Sequence, residues 1–191
     1  HDYGNVTSWA QSDVFLFQSV PHAIRMTFTT PVGSVSAVSK CDTLPCIPWL
    51  TGASIIKDLS DYDIIKFMIE DTEYSPNYEN ILMIEMGVGD LGVAPAFVPK
   101  PPIEEMIVLM GYRRFSLDYY MNRKEFDELY RLIYKKELEV YKIAAESPVE
   151  IIWTPANVNA VVTTPKIFEK YSIPFYNEAA NILHKHGKIY M

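Results

Sequence analysis

The spacing of apolar positions changes along the chain and divides it into parts. Before residue 40 they come as short β-branched or aromatic runs: Val14-Phe15-Leu16-Phe17, Arg25-Met26-Thr27-Phe28-Thr29 and Ser34-Val35-Ser36-Ala37-Val38. In the middle run, alternation puts Met26 and Phe28 on one face and Arg25, Thr27 and Thr29 on the other, as in a half-buried strand. Pro21 and Pro31-Val32-Gly33 punctuate the runs, so the segment reads as an antiparallel meander of two or three strands. Such a meander needs a surface to pack on.

Beyond the loop that carries Cys41, Pro45, Cys46 and Pro48, the spacing becomes helical. Ser60 is placed to cap a helix bearing Ile64, Ile65, Met68 and Ile69, and a second helix is expected from about Pro76 to Met86, ended by Gly87. Gly92 to Val98 is short and apolar, long enough for one buried parallel strand. Pro101-Pro102 starts a helix with Glu104 and Glu105 in its first turn, where the helix dipole favours acids, and Gly111 is expected to stop it. From Asn122 a long amphipathic helix follows, with Phe126, Leu129, Tyr130, Ile133, Val140, Tyr141 and Ala144 along one face, ended by Pro148. Val149 to Thr154 is a strand, Thr164-Pro165 starts another helix that Pro174 breaks or restarts, Gly187 follows its last turn, and Lys188 to Met191 begins a further strand.

Helices alternating with strands are the pattern of a parallel α/β domain. A closed (β/α)₈ barrel takes about 250 residues. The 191 residues here, part of them spent on the meander, are too few to close one, so the chain reads as a portion of a larger barrel protein. The expected organisation is an antiparallel β appendage and linker over 1–48 and an incomplete barrel over 49–191.

Composition narrows the chemistry. Apolar residues make up 49% and charged residues 21%, which supports a packed core. The net charge of −7 and a pI near 5.1 argue against nucleic acid as a partner. No run approaches the ~18 consecutive apolar residues of a membrane span, and the first residues lack the pattern of a secretory leader. With Cys41 and Cys46 the only cysteines, a disulfide framework is not indicated and a cytoplasmic location is expected. No Gly-rich phosphate loop, Ser-His-Asp set or His-Glu-x-x-His motif is present.

The run Glu137-Leu138-Glu139-Val140-Tyr141-Lys142-Ile143-Ala144-Ala145, the strand Ile151-Ile152-Trp153, the loop Asn157-Val158-Asn159 and the stretch Thr164 to Tyr171 lie in a recognisable order. Continued through Pro174-Phe175-Tyr176-Asn177 to His184-Lys185-His186-Gly187-Lys188, this part resembles the uroporphyrinogen decarboxylase superfamily. The Thr30-Pro31-Val32-Gly33-Ser34 hairpin and the Trp49 to Asp71 region resemble its branch of corrinoid-dependent methyltransferases and decarboxylase-like proteins.

The resemblance implies a (β/α)₈ barrel and one of two chemistries. In the first, a methyl group moves between a small methylated donor and a corrinoid carried by a partner protein, or a thiol, with zinc assisting. In the second, a porphyrinogen or other carboxylated substrate is decarboxylated. The decarboxylases carry an Asp-Ser-Trp-type loop where this chain has Thr154-Pro155-Ala156-Asn157-Val158-Asn159, and no matching Arg-rich segment is present. The zinc-dependent relatives place His-x-Cys after a strand like 188–191, so the zinc ligands are expected beyond Met191 and none within the chain.

Barrel active sites lie at the carboxyl ends of the strands, which points to Lys100, Thr154, Asn157 and Asn159 as substrate-binding candidates. The two asparagines offer amides for a substrate oxygen, or serve only to fold their loop. Lys100 either neutralises an acidic substrate or is a solvated loop lysine. Arg113 and Arg114 either hold an anion or pair with acids such as Asp118, four residues on. His184 and His186, two residues apart, do not share a helical face and are better placed to meet helix-end carbonyls than a metal. No residue stands out as catalytic. An open parallel sheet leaves an unpaired edge, so the chain is expected either to self-associate or to need something else that covers that edge.

Overall fold

The structure is a computed structural model and describes residues 10–17, 20–40, 54–156, 158 and 160–191. It is a mixed α/β protein whose chain divides into two compact units, 1–72 with 106–129 and 73–105 with 130–191. Among the described residues no helix is long and apolar enough to cross a membrane.

The first unit contains the meander. Strands β1 (Ala10–Phe17), β2 (Val20–Thr30) and β3 (Gly33–Lys40) form an antiparallel sheet in that order, with Met26 opposite Ala37 and Phe28 opposite Val35. The meander packs on helix α1 (Asp61–Asp71), and Val35, Ala37, Ile64 and Ile65 are buried there. The hairpin comes so close to α1 that a Cβ on Gly33, whose φ is 145°, would lie 2.8 Å from Cδ1 of Ile64. Only glycine suits both the backbone angle and the space.

The start of α1 differs from the expectation. Ser60 makes no side-chain cap; Asp61 Oδ2 accepts the backbone N–H groups of Lys57 (2.7 Å) and Asp58 (3.2 Å), while Asp58 Oδ1 accepts the Ser60 N–H at 2.8 Å. The Ser60 hydroxyl donates to Asp58 Oδ1 in place of accepting from the first turn of the helix.

Helix α3 (Pro102–Met121) begins in the second unit and continues in the first. Gly111, expected to stop it, instead kinks it through non-helical angles (φ 66°, ψ 164°), and the helix resumes. Glycine pays little for that conformation, and apolar residues on both sides of the kink, Met110 and Phe115, are buried. Asn122 then precedes α4 (Arg123–Glu146), its carbonyl accepting the Phe126 N–H at 3.0 Å.

In the second unit, α2 spans Glu79–Val88 and is followed by a short 3₁₀ turn over Gly89–Leu91. It starts later than Pro76, and it passes through Gly87 to end at Gly89, which has a positive φ of 50°. Strands β4 (Ala96–Phe97), β5 (Ile151–Trp153) and β6 (Ile189–Tyr190) form a parallel sheet in chain order. Hydrogen bonds from Val98 N to Trp153 O (3.1 Å) and from Thr154 N to Met191 O (2.8 Å) carry the ladder past the strand ends.

Between β5 and β6, Thr164 caps α5 (Pro165–Ile167), its hydroxyl accepting the Ile167 N–H at 3.4 Å. A π-helical turn over Phe168–Ser172 leads into α6 (Ile173–Lys185), where Pro174 lies in the first turn and restarts the α-helix. The core joins Ile152 to Leu138, Tyr141, Ala144 and Ala145 of α4 and to Phe175, Ala179 and Leu183 of α6, with Ala96 and Tyr190 packed against it. Both helices therefore cover the same face of the sheet. Residues of the other face stay open: Phe97 is 54% exposed, Trp153 42% and Ile189 53%, and the Phe97 and Trp153 rings lie 4.7 Å apart.

Candidate functional site

The carboxyl ends of β4, β5 and β6 bring together side chains from four segments of the second unit. Thr154, directly after β5, is buried and donates its hydroxyl to the Pro99 carbonyl at 2.7 Å. Tyr141 comes up from α4, its hydroxyl 2.7 Å from Thr154 Oγ1, 3.2 Å from Pro99 O and 3.2 Å from the Tyr190 hydroxyl on β6. Each of the three hydroxyls has one proton to give, the Pro99 carbonyl accepts from Thr154 and Tyr141, and either partner can donate in the Tyr141–Thr154 and Tyr141–Tyr190 contacts. Burial is the main cause that raises the phenol pKa of both Tyr141 and Tyr190, so both are neutral donors at physiological pH.

Carboxylates surround this network. One helical turn before Tyr141 stands Glu137, 5% exposed, with no hydrogen-bond partner for Oε2. Glu104 (buried) and Glu105 (half-buried) sit in the first turn of α3, at the end of the β4 loop. Burial first, and then the charges of Glu105 and Glu104, hold the Glu137 carboxyl well above the ordinary range. Burial also raises Glu105, against the opposing charge of Lys100. Tyr176 of α6 completes the surroundings; its phenol is raised by burial and then by the nearby charge of Glu104. Its ring centroid lies 6.5 Å from that of Tyr190, which in turn stands 5.8 Å from Tyr141 at 88°.

Of the residues expected from the sequence, Thr154 is a member of the hydroxyl network, and Lys100 follows β4 as a charge neighbour of Glu105. Asn157 and Asn159 lie outside the described residues, as do Cys41 and Cys46. Arg114 is taken up by structure: its Nε donates to Asp118 Oδ2 at 2.6 Å. His186 meets the Ile182 carbonyl at 3.0 Å at the end of α6.

Sequence reasoning missed Tyr141, Tyr176 and Tyr190 and all of the glutamates as site residues. One signal was legible. In the apolar series Ile133, Tyr141, Ala144 of α4, Glu137 occupies the position four residues after Ile133 and four before Tyr141, so a carboxylate stands on the buried stripe.

The resemblance implies zinc, for which the described residues would have to offer a converging ligand set. Among them no three His, Cys, Asp or Glu side chains converge closely enough to hold a metal ion, so they do not supply a zinc site. Searches against protein-family profiles, curated proteins and solved structures find no match.

Proposed function

We propose that the second unit is a segment of a (β/α)₈ barrel of the uroporphyrinogen decarboxylase type, and that the protein moves a methyl group from a small methylated donor to a corrinoid protein or thiol. Strands in chain order with both connecting helices on one face are the arrangement of a singly wound barrel wall. A doubly wound sheet would carry helices on both faces. The open face with Phe97, Trp153 and Ile189 is then barrel interior, covered by further strands or by a second copy of the chain.

The observation that carries the reaction class is the make-up of the strand ends, where carboxyl groups outnumber cations. Decarboxylation of a polyanionic substrate calls for cations facing its carboxylates. Here Glu104, Glu105 and Glu137 gather at this edge, and the neighbouring Lys100 faces Glu105. Such an edge suits a neutral or cationic methylated donor better than a polycarboxylate. The hydroxyls of Thr154, Tyr141 and Tyr190 would orient the donor, and Lys100, Asn157 and Asn159 are kept as the substrate-binding candidates that the sequence offers. A corrinoid on a partner protein supplies the methyl-accepting centre. Zinc would belong to the same reading, with no ligand set for it among the described residues.

The test is methylation of a reduced corrinoid by the protein carrying this chain, with zinc supplied and a panel of methylated amines, ethers and thioethers. Donor-dependent growth of the methylcorrinoid absorbance is expected. Release of carbon dioxide from a porphyrinogen, with no methylation from any donor, would overturn the reading in favour of the decarboxylase.

A further inference from the structure

Helices α2 and α3 each turn an apolar face outward, and the two faces differ in charge. No residue of α2 is fully buried. Its inner side is formed by Tyr78, Ile81, Glu85 and Val88, which are partly buried; Tyr78 donates its hydroxyl to the Ile143 carbonyl at 2.8 Å, and Ile81 packs against the core. Helical spacing turns Glu79, Leu82, Met83 and Met86 to the opposite side, and the exposed surface continues through Asp90 to Leu91 and Val93. Met86 is 81% exposed and Leu91 95%. Gly87 follows Met86, and a Cβ there would meet nothing within 4 Å, so packing inside the chain does not call for glycine, while its missing side chain lets another surface come close. From Phe67 to Pro99 the sequence has no Lys or Arg, and Glu70, Asp71, Glu73, Glu79, Glu85 and Asp90 give this stretch its charge.

Beyond its kink, α3 shows the reverse. Phe115 and Asp118 are buried on the inner side, and Tyr112, Arg113, Leu117, Tyr120 and Met121 share the outer one, with Tyr120 77% and Met121 76% exposed. Asp118 is the one acid in the sequence between Met106 and Lys124, and it accepts from Tyr62, Arg114 and Asn122. Arg113 and, just past the helix, Lys124 are exposed. Tyrosine, arginine and methionine are enriched in protein contact surfaces, and tyrosine and arginine are among the types that carry most of the binding energy there.

We propose that the outer face of α2 in one copy of the chain binds the outer face of α3 in a second copy, with Leu82, Met83 and Met86 against Leu117, Tyr120 and Met121, and with Glu79 and Asp90 toward Arg113 and Lys124. Charge complementarity selects this occupant. Pairing α2 with α2 sets acid against acid and pairing α3 with α3 sets base against base, whereas α2 on α3 joins opposite signs, and every copy carries both. The net charge of −7 opposes association at long range, but salt screens exposed charges beyond about 8 Å and leaves the close pairs. The contact makes no use of the open face or edges of the parallel sheet, and it does not rest on the methyl-transfer reading.

The experiment is sedimentation velocity of the whole chain through the micromolar concentration range at about 0.15 M salt. The wild type is expected to self-associate. Met83→Ser with Met86→Ser removes the α2 face, and Leu117→Ser with Tyr120→Ser removes the α3 face; each variant should associate at least about tenfold more weakly. Mixed in equal amounts, the two should associate more tightly than either alone, because the first keeps its α3 face and the second its α2 face. Circular dichroism checks that each is folded. Arg113→Glu, a single exposed position, tests the same face without removing apolar contacts: it should weaken association at least about threefold, and adding Glu79→Arg and Asp90→Arg to that chain should restore it. A wild type that stays monomeric overturns the proposal. So does association that neither face variant weakens, the result expected if copies join through the sheet, and so does a mixture no tighter than its components.

Discussion

Asp118 and Glu137 are both buried carboxylates on long helices, one in each unit, and they live in opposite surroundings. Asp118 is 0% exposed and fully engaged: Oδ2 accepts from Tyr62 Oη at 2.7 Å and Arg114 Nε at 2.6 Å, and Oδ1 accepts from Asn122 Nδ2 at 2.6 Å. Its charge is compensated within the fold, and the Tyr62 phenol beside it is pushed far up by burial and by the bond to that carboxylate. Glu137 has other carboxylates for neighbours and an oxygen with no donor. The same chemical group serves as a structural joint where the fold supplies its donors, and is left to await a donor where it does not.

Removing the satisfied carboxylate should cost most. Asp118→Ala leaves the Tyr62 hydroxyl and the Arg114 guanidinium without their partner, and a loss of about 3 kcal/mol in urea unfolding is expected; a loss below about 1 kcal/mol would mean that Asp118 is no joint. Next comes Tyr141→Phe, which removes the hub between Thr154 and Tyr190 and should cost about 1–2 kcal/mol.

Glu137→Gln tests the other side of the comparison through pH. Its raised carboxyl contributes stability while protonated, fully below the ordinary glutamate value and progressively less as pH rises through the raised folded value. The glutamine variant, which never ionises, should match the wild type in acid and melt higher at alkaline pH, so that the two melting curves diverge as pH rises. Parallel curves would show that Glu137 finds a compensating partner. The smallest effect is expected from Glu139→Gln, which breaks the partly exposed ion pair with Lys136 (3.0 Å) and should change stability by less than about 1 kcal/mol.

The same contrast explains what the sequence made legible. Asp118 lies four residues from Arg114 on one helix, so spacing alone proposed the pair. The elements were readable for a similar reason, since alternation, proline starts and the apolar face of α4 are local signals. The start of α1 and the passage of α2 through Gly87 were not, because neighbouring acids and a later glycine decided them. At the strand ends only Thr154 and Lys100 were legible, as residues following strands. Tyr141, Tyr176, Tyr190 and the glutamates meet there only because α3, α4, α6 and β6 converge, and no local window contains that convergence.

The pairing of Ala96 with Ile152 has a consequence for synthesis. All of α3 and α4 lies between them in sequence, so β4 leaves the ribosome long before its partner exists; at about 5–20 residues per second the wait is roughly three to ten seconds. A two-residue strand offers few hydrogen bonds against the entropy of so long a loop. The sheet therefore cannot lead folding: α4 must form and dock first, and until it does Ala96, Val98 and their apolar neighbours are a surface that a chaperone would recognise.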